Sequence, residues 1–251
     1  MKLKYFSSRT FKEIIRDPIN LFFGLIFPTI LILLLEKIGK NAPVSVFKAE
    51  ELIPGMTVFG LSFMTLFASL LISKDRESAF LQRLYTTPLK PIDFILGYSL
   101  PLVPMAIVQC LICYFIGLFM GLEITVNILI ALVSIIPISL FFIFLGLICG
   151  SIFNSRQVGG ICGALLTNLT AWFSGIWFDV NLVGKGFSKI SNLLPYTHAV
   201  ELERLIYSGN FTNISQHIFW IILYMIISIL LAIIVFIRQM KRLWNFQLIN
   251  N

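Results

Sequence analysis

Charge is scarce in this 251-residue chain: Asp, Glu, Lys and Arg make up 12% of it, while 58% is hydrophobic. Soluble domains carry about 25% charged residues. A water-soluble fold of this length has no means of burying so much apolar surface, so lipid must be the solvent for most of the chain. Cysteine and histidine are scarce too. Four Cys are too few for a disulfide framework, and two His leave little for a zinc site. A phosphate-binding loop of the form G-x-x-x-x-G-K-[ST] is missing: Gly39-Lys40 and Gly184-Lys185 lack the glycine that should precede them. The chain therefore lacks the standard means of hydrolysing ATP.

Long apolar runs are what the chain does have. A bilayer core takes about 20 apolar residues per helix, and six stretches qualify: 19–35, 52–73, 94–121, 128–153, 161–180 and 218–237. None holds a Lys, Arg, Asp or Glu before Asp179, near the end of the fifth. The expected fold is an all-α integral membrane protein, a single transmembrane domain over 1–251 with six spans. Orientation follows from the distribution of Lys and Arg. With the N-terminus inside, the inner segments hold 13 of the 19 Lys and Arg, in as many residues as the outer segments have for six. Both termini are expected in the cytoplasm, in a bacterial plasma membrane. The net charge of +7 is then an orientation signal facing anionic lipid headgroups and not a nucleic-acid patch.

The segments between spans carry patterns of their own. Residues 1–18 read as an interfacial helix, with Phe11, Ile14 and Ile15 on one face and Lys12, Glu13 and Arg16 elsewhere. Thr10-Phe11-Lys12-Glu13 fits a capping box, and Asp17-Pro18 an N-cap and first-turn proline for the first span. In the loop after the second span, Phe80, Leu81, Leu84 and Tyr85 form one apolar face of a short helix. Pro88 stops that helix at Thr87. A plain turn needs only a few residues, so this loop is expected to rest on lipid or dock into a partner's groove.

These motifs together resemble the type-2 ATP-binding-cassette (ABC) exporter permeases. The resemblance rests on Arg76-Glu77-Ser78 followed by Leu81, Leu84 and Thr87-Pro88, on Arg16-Asp17-Pro18, and on Phe27-Pro28. It continues in Leu194-Pro195 followed by Ala199, Leu202, Arg204 and Gly209. Ala79 stands where the family often has Gly, and Gln82 stands near an often acidic position. The resemblance implies a permease subunit that works with a second permease chain, identical or related, around a central pathway. It also implies a separate ABC ATPase dimer holding the ATP and Mg, with residues 76–87 as the coupling helix in its groove. The coupling residues would be Arg76, Glu77, Phe80, Leu81, Arg83, Leu84, Thr87 and Pro88, assisted by Phe11, Ile14, Ile15, Arg16 and Asp17 of the interfacial helix. No catalytic or metal site is expected in the chain itself.

For a pathway wall, Met56, Phe59, Phe63 and Phe67 recur at helical spacing, and Asn168, Trp172 and Phe173 lie in the middle of span five. Such apolar walls suit amphipathic or hydrophobic cargo, whether drug, antimicrobial peptide or lipid; the same Phe stripe also fits core packing. Gln109 reads as helix glue, and Gly146/Gly150 as close helix contact. Cys110-x-x-Cys113 lies inside a span and reads as packing, and His198 and His217 sit near the outer face without a cluster of other ligands. Thr197–Ser208 reads as an outer amphipathic helix, with Ala199, Leu202, Leu205 and Ile206 on one side and Glu201, Glu203 and Arg204 on the other. The alternative function is an ion-coupled transporter or channel needing no ATPase. It would require titratable groups within the spans, and the span cores offer none.

Overall fold

Asp17 shows how locally the first span is set. Its carboxylate accepts from the backbone N–H of Ile19 (3.0 Å) and of Asn20 (3.4 Å), with Pro18 in the first turn, as an N-cap should. The computed structural model describes residues 2–41, 47–78, 80–81 and 91–249, with side chains for 3–41, 47–78, 80–81 and 92–239. Every regular element among them is helical.

Helix α1 (Lys2–Arg16) begins well before Thr10, which corrects the capping-box expectation. Thr10 lies in mid-helix, where its hydroxyl donates to the Phe6 carbonyl (3.1 Å), and Glu13 pairs with Arg9 one turn back (3.1 Å). The face set against the protein is Phe6, Thr10 and Ile14, while Phe11 and Ile15 are exposed. Helix α1 therefore has two apolar sides, one for the chain and one available to lipid.

Helix α2 runs Pro18–Asn41 and widens into a π-helical turn at Phe22–Ile26, just before Pro28. Proline cannot donate to the carbonyl four residues back, and a wide turn accommodates the lost bond. Helix α3 (Ala49–Glu77) is the central post, almost wholly buried from Leu52 to Ser69. Helices α4 (Pro91–Ser99) and α5 (Leu102–Phe119) form one span broken at Pro101. Helix α6 (Asn127–Ile152) crosses α3 where a Cβ on Gly146 or Gly150 would sit 2.4 Å from the backbone carbonyl oxygen of Thr65 or Ser69. The Thr65 hydroxyl donates across this crossing to the Phe142 carbonyl (2.9 Å), so small residues set the contact distance.

Helix α7 (155–173) contains a π-helical stretch at Gly159–Leu166. It ends earlier than the span expected to reach 180, because Gly175 takes a positive φ of 74° and turns the chain. Short helices α8 (Val180–Val183) and α9 (Lys185–Ser191) follow, then α10 (Pro195–Ser208) and the long α11 (Ile214–Ile249). Among the described residues, five helices are long and apolar enough to cross a membrane: 18–41, 49–77, 92–119, 127–152 and 214–239. Helix α7 falls short of that measure, since Arg156, Gln157 and Asn168 dilute its apolar run. The structure thus yields five such helices plus the shorter α7.

Candidate functional site

The α1 end of the bundle gathers most of the charged side chains expected to matter. Asp75, in the last turns of α3, is buried and receives both guanidinium nitrogens of Arg9, at 2.6 and 2.7 Å. Tyr98 on α4 donates to the same carboxylate (2.7 Å). Two-pronged charge-assisted bonds of this kind fix geometry as well as add energy. The Arg9 guanidinium also lies 4.0 Å from the centre of the Phe80 ring, a cation–π contact. Phe6 packs edge-on against Tyr98 (4.9 Å), and the absence of a Cβ on Gly97 makes room for it. The Asp75 carboxylate and the desolvation of the pair act oppositely on Arg9; its hydrogen bonds to Asp75 prevail and hold its pKa above the ordinary value. Desolvation pushes the Glu13 carboxyl up, with the Arg9 charge opposing.

Arg76 and Glu77, one residue further on, close the neighbouring helices. Arg76 donates to the carbonyls of Ser151 and Phe153 (2.6 Å for the latter), taking up acceptors left free at the end of α6. Glu77 accepts from the backbone N–H of Ser155 (2.7 Å) and from its hydroxyl, serving free donors at the start of α7. Lys74 reaches Asp17 (3.3 Å). The last turn of α3 is thereby tied to α1, α2, α4, α6 and α7. Arg76 and Glu77 make these bonds within the chain and belong to α3 itself. Phe80 is half-buried and Leu81 buried, whereas Arg83, Leu84, Thr87 and Pro88 lie outside the described residues. In α1, Ile14 is buried, Phe11, Ile15 and Arg16 are exposed, and Asp17 is the cap already described.

The aromatic stripe is core. Met56, Phe59, Phe63 and Phe67 are all buried; Phe63 stacks with Phe23 of α2 (5.7 Å), and Phe59 lies 6.2 Å from Trp177. Phe173 stacks on Phe187 of α9 (4.7 Å). Asn168 and Trp172, by contrast, are exposed on α7 together with Gly160 and Ala164, one turn apart. Asn168 donates to the Ala164 carbonyl (2.8 Å) but still presents an amide to whatever lies beyond. Gln109 is buried and reaches Cys113 (3.2 Å) and the Thr57 carbonyl (3.5 Å), filling the space beside Gly60.

At the far end, α10 departs from its expected facing. Its buried side is Tyr196, Ala199, Val200, Glu203, Ile206 and Tyr207, so Glu203 is the reverse of solvent-facing. The reason is that Tyr114 of α5 donates to its carboxyl (3.2 Å) and Ser134 of α6 hydrogen-bonds it. Burial pushes this carboxyl up to about 8, against the pull of those two bonds. Arg204, on the next position, donates to the Glu51 and Gly175 carbonyls and pairs with Glu51 (2.9 Å) and Glu201 (3.0 Å). His198 and His217, both expected near the outer face, face each other with Nδ1 atoms 3.0 Å apart. Among the described residues, no three His, Cys, Asp or Glu side chains gather as a metal site.

Sequence reasoning passed over Arg9, Asp75 and Tyr98. Asp75 directly precedes the Arg76-Glu77-Ser78 motif, and an acidic residue at the end of a buried helix was the signal that it needs a cation nearby.

Helices that expose broad apolar sides, with charge confined to the two ends, define a multi-pass helical membrane protein. The family model described as "ABC-2 type transporter" matches residues 1–208, and the chain belongs to that family of transport permeases. It is similar to a protein of Cyanophora paradoxa named as a transport permease, ycf38: 26% identical over 224 residues, 84% of this chain and 76% of that protein. The like-named protein of Porphyra purpurea is 29% identical over 242 residues, 89% of this chain and 81% of that protein.

Proposed function

We propose that the chain is the permease subunit of an ABC exporter, moving an amphipathic or hydrophobic compound (drug, antimicrobial peptide or lipid) outward under the ATP cycle of a separate ATPase. Family membership supports an ABC ATPase partner in general terms. One observation carries the reading for this chain: the last turn of α3, directly ahead of residues 78–88, is bonded to α1, α2, α4, α6 and α7. A push on 78–88 from the cytoplasmic side moves those helices together, and coupling needs a lever of this kind with different contacts in its two states. ATP and Mg belong to the partner.

The pathway lies against α7, between this chain and a second permease chain. Asn168 supports this placement, because an amide exposed in an otherwise apolar helix is costly in hydrocarbon and serves a bundle interior or a wet cavity. The α1 end faces the cytoplasm and the membrane is the plasma membrane. An ion-coupled carrier is the less favoured alternative.

The test is co-purification. The tagged, solubilised chain should bring down a P-loop ATPase. Leu84→Glu, in the segment whose sequence pattern carries Phe80, Leu81, Leu84 and Tyr85, should lose that partner while the chain melts as before. A chain that never captures a nucleotide-binding protein, and conducts ions alone in vesicles, would overturn the proposal.

A further inference from the structure

Among the described residues, Glu203 is a carboxyl without a counter-charge. It is fully buried, and among the described residues no Lys, Arg or His stands within ion-pair distance of it. The cation next along the helix, Arg204, spends its guanidinium on Glu51, Glu201 and the Gly175 carbonyl. Nor is the site shallow. Ser134 lies seven residues into α6 and Tyr114 five residues from the end of α5, so both are about 8–10 Å from their helix ends at 1.5 Å per residue.

Proton counting at the site is informative. Ser134 Oγ lies 2.7 Å from the Ala131 carbonyl and also touches Glu203. A hydroxyl has one proton to donate. If it goes to Ala131, the hydrogen between Ser134 and Glu203 must belong to the carboxyl. The resulting chain has every proton placed once: Tyr114 O–H to Glu203, Glu203 O–H to Ser134, Ser134 O–H to Ala131. The ionised alternative strands a full charge in an apolar layer with two neutral donors, which is costly.

We propose that Glu203 is a proton-binding site: its neutral acid form locks α10 onto α5 and α6, and loss of that proton to water at the far end releases the helix. The proton passes from the carboxyl to water or hydroxide, leaving a carboxylate that α10 must carry out toward solvent. The inference stands apart from the proposed ATPase coupling, since it requires neither partner nor cargo. Burial raises the carboxyl's pKa, so the lock holds at neutral pH and fails on the alkaline side. Other titratable or charged groups on the elements packed here include Tyr114, Cys110 and Cys113 of α5, Glu50 and Glu51 of α3, Cys149 of α6, His217 and Tyr224 of α11, and Tyr196, His198, Glu201, Arg204 and Tyr207 of α10 itself, with Lys74, Asp75, Arg76 and Glu77 at the opposite end of α3. All of them remain in Glu203→Gln, which keeps the shape and removes only the titration.

The experiment uses the full chain in lipid nanodiscs. Infrared pH-difference spectra should show the carbonyl stretch of a protonated carboxylic acid at neutral pH, lost on alkaline titration and missing from Glu203→Gln. In a Leu202→Cys background, where the buried inner face of α10 carries the reporter, reaction with a membrane-impermeant maleimide should rise in step with loss of the band. Divided by the rate of a free thiol at the same pH, which itself climbs as thiolate forms, the reactivity should rise at most about tenfold per pH unit, the limit for one proton, and stay flat in the Glu203→Gln double variant. A wild-type chain with no acid band at neutral pH overturns the proposal, as does an alkaline rise that survives Glu203→Gln. Should Glu203→Gln fail to accumulate, Tyr114→Phe removes one donor and should shift the band; a band indifferent to that change also overturns it.

Discussion

At the α1 end a buried carboxylate, Asp75, meets a two-pronged guanidinium and a phenol; at the far end a buried carboxyl, Glu203, meets a phenol and a hydroxyl. The two acids differ by one cation. Arg9 meets Asp75 with charge-assisted bonds, each about twice as strong as a neutral one. Glu203, lacking such a partner, has its pKa raised by burial instead. The first junction is therefore held by charge-assisted bonds and transmits force, while the second is conditional. A permease needs both properties: a stiff place where work enters, and a place at the other end where contacts are exchanged cheaply.

The sharpest way to break the contrast is to take the cation away. Arg9→Ala leaves Asp75 buried with Tyr98 as its remaining side-chain donor among the described residues, and because Arg9 is itself half-buried the loss is about 1–3 kcal/mol, below that of a fully buried pair. Thermal unfolding in detergent should show a large fall for Arg9→Ala beside a small change for Glu203→Gln at pH 7. Equal losses in the two would mean that the ends are fastened alike. A comparable effect concerns the close packing behind the charged junction. The Cβ added in Gly150→Ala lands 2.4 Å from the Ser69 carbonyl oxygen, which forces α6 off α3 beside the Arg76 bonds to Ser151 and Phe153. Overpacking of this kind costs about 1–3 kcal/mol, read in the same melting assay; a variant as stable as the parent would show that this end yields more readily than its bonding implies.

Much of this architecture was legible because lipid imposes a coarse code. Apolar runs and the exclusion of charge located α3, α4–α5 and α6 to within four residues, while α2 and α11 run on six and twelve residues past their expected ends. The Asp17 cap was legible because it is local, a side chain serving N–H groups two and three residues on. Thr10-x-x-Glu13 has the same local look and misled, because the i,i+4 pair Arg9–Glu13 and the packing of Phe6 and Ile14 extend the helix backward through it. The charged junction was not legible. Arg9 and Asp75 are 66 positions apart, and nothing in either neighbourhood names the other. Glu203 was misplaced because Glu201, Glu203 and Arg204 look like one polar side, yet position 203 falls in line with Tyr196, Ala199, Val200 and Ile206 on the buried one. Only the hydroxyls of Tyr114 and Ser134, on two other helices, make that tolerable.

The smallest expected effect separates two titrations at the conditional end. His198 Nε2 lies 2.9 Å from the Asn192 carbonyl and its Nδ1 3.0 Å from that of His217. With both rings neutral, His198 donates through Nε2 to Asn192 and accepts through Nδ1 from His217. Burial lowers the pKa of His198, helped by His217 and opposed by the Asn192 bond and Glu201. A group with a depressed folded pKa contributes stability above its ordinary value of 6.5 that is lost as pH falls through the folded value. The melting temperature should therefore drop on acidification below about pH 6.5 through His198, and fall along an alkaline limb through Glu203 as pH rises from the ordinary carboxylate value of 4.5 to about 8. His198→Phe keeps a ring to stack on Trp220, which lies 5.4 Å away, and lowers the baseline by about 1 kcal/mol for the lost hydrogen bond. It should flatten the acid limb and leave the alkaline limb, whereas Glu203→Gln should do the reverse. An acid limb unchanged in His198→Phe would place the acid response elsewhere and leave Glu203 as the titrating contact of α10.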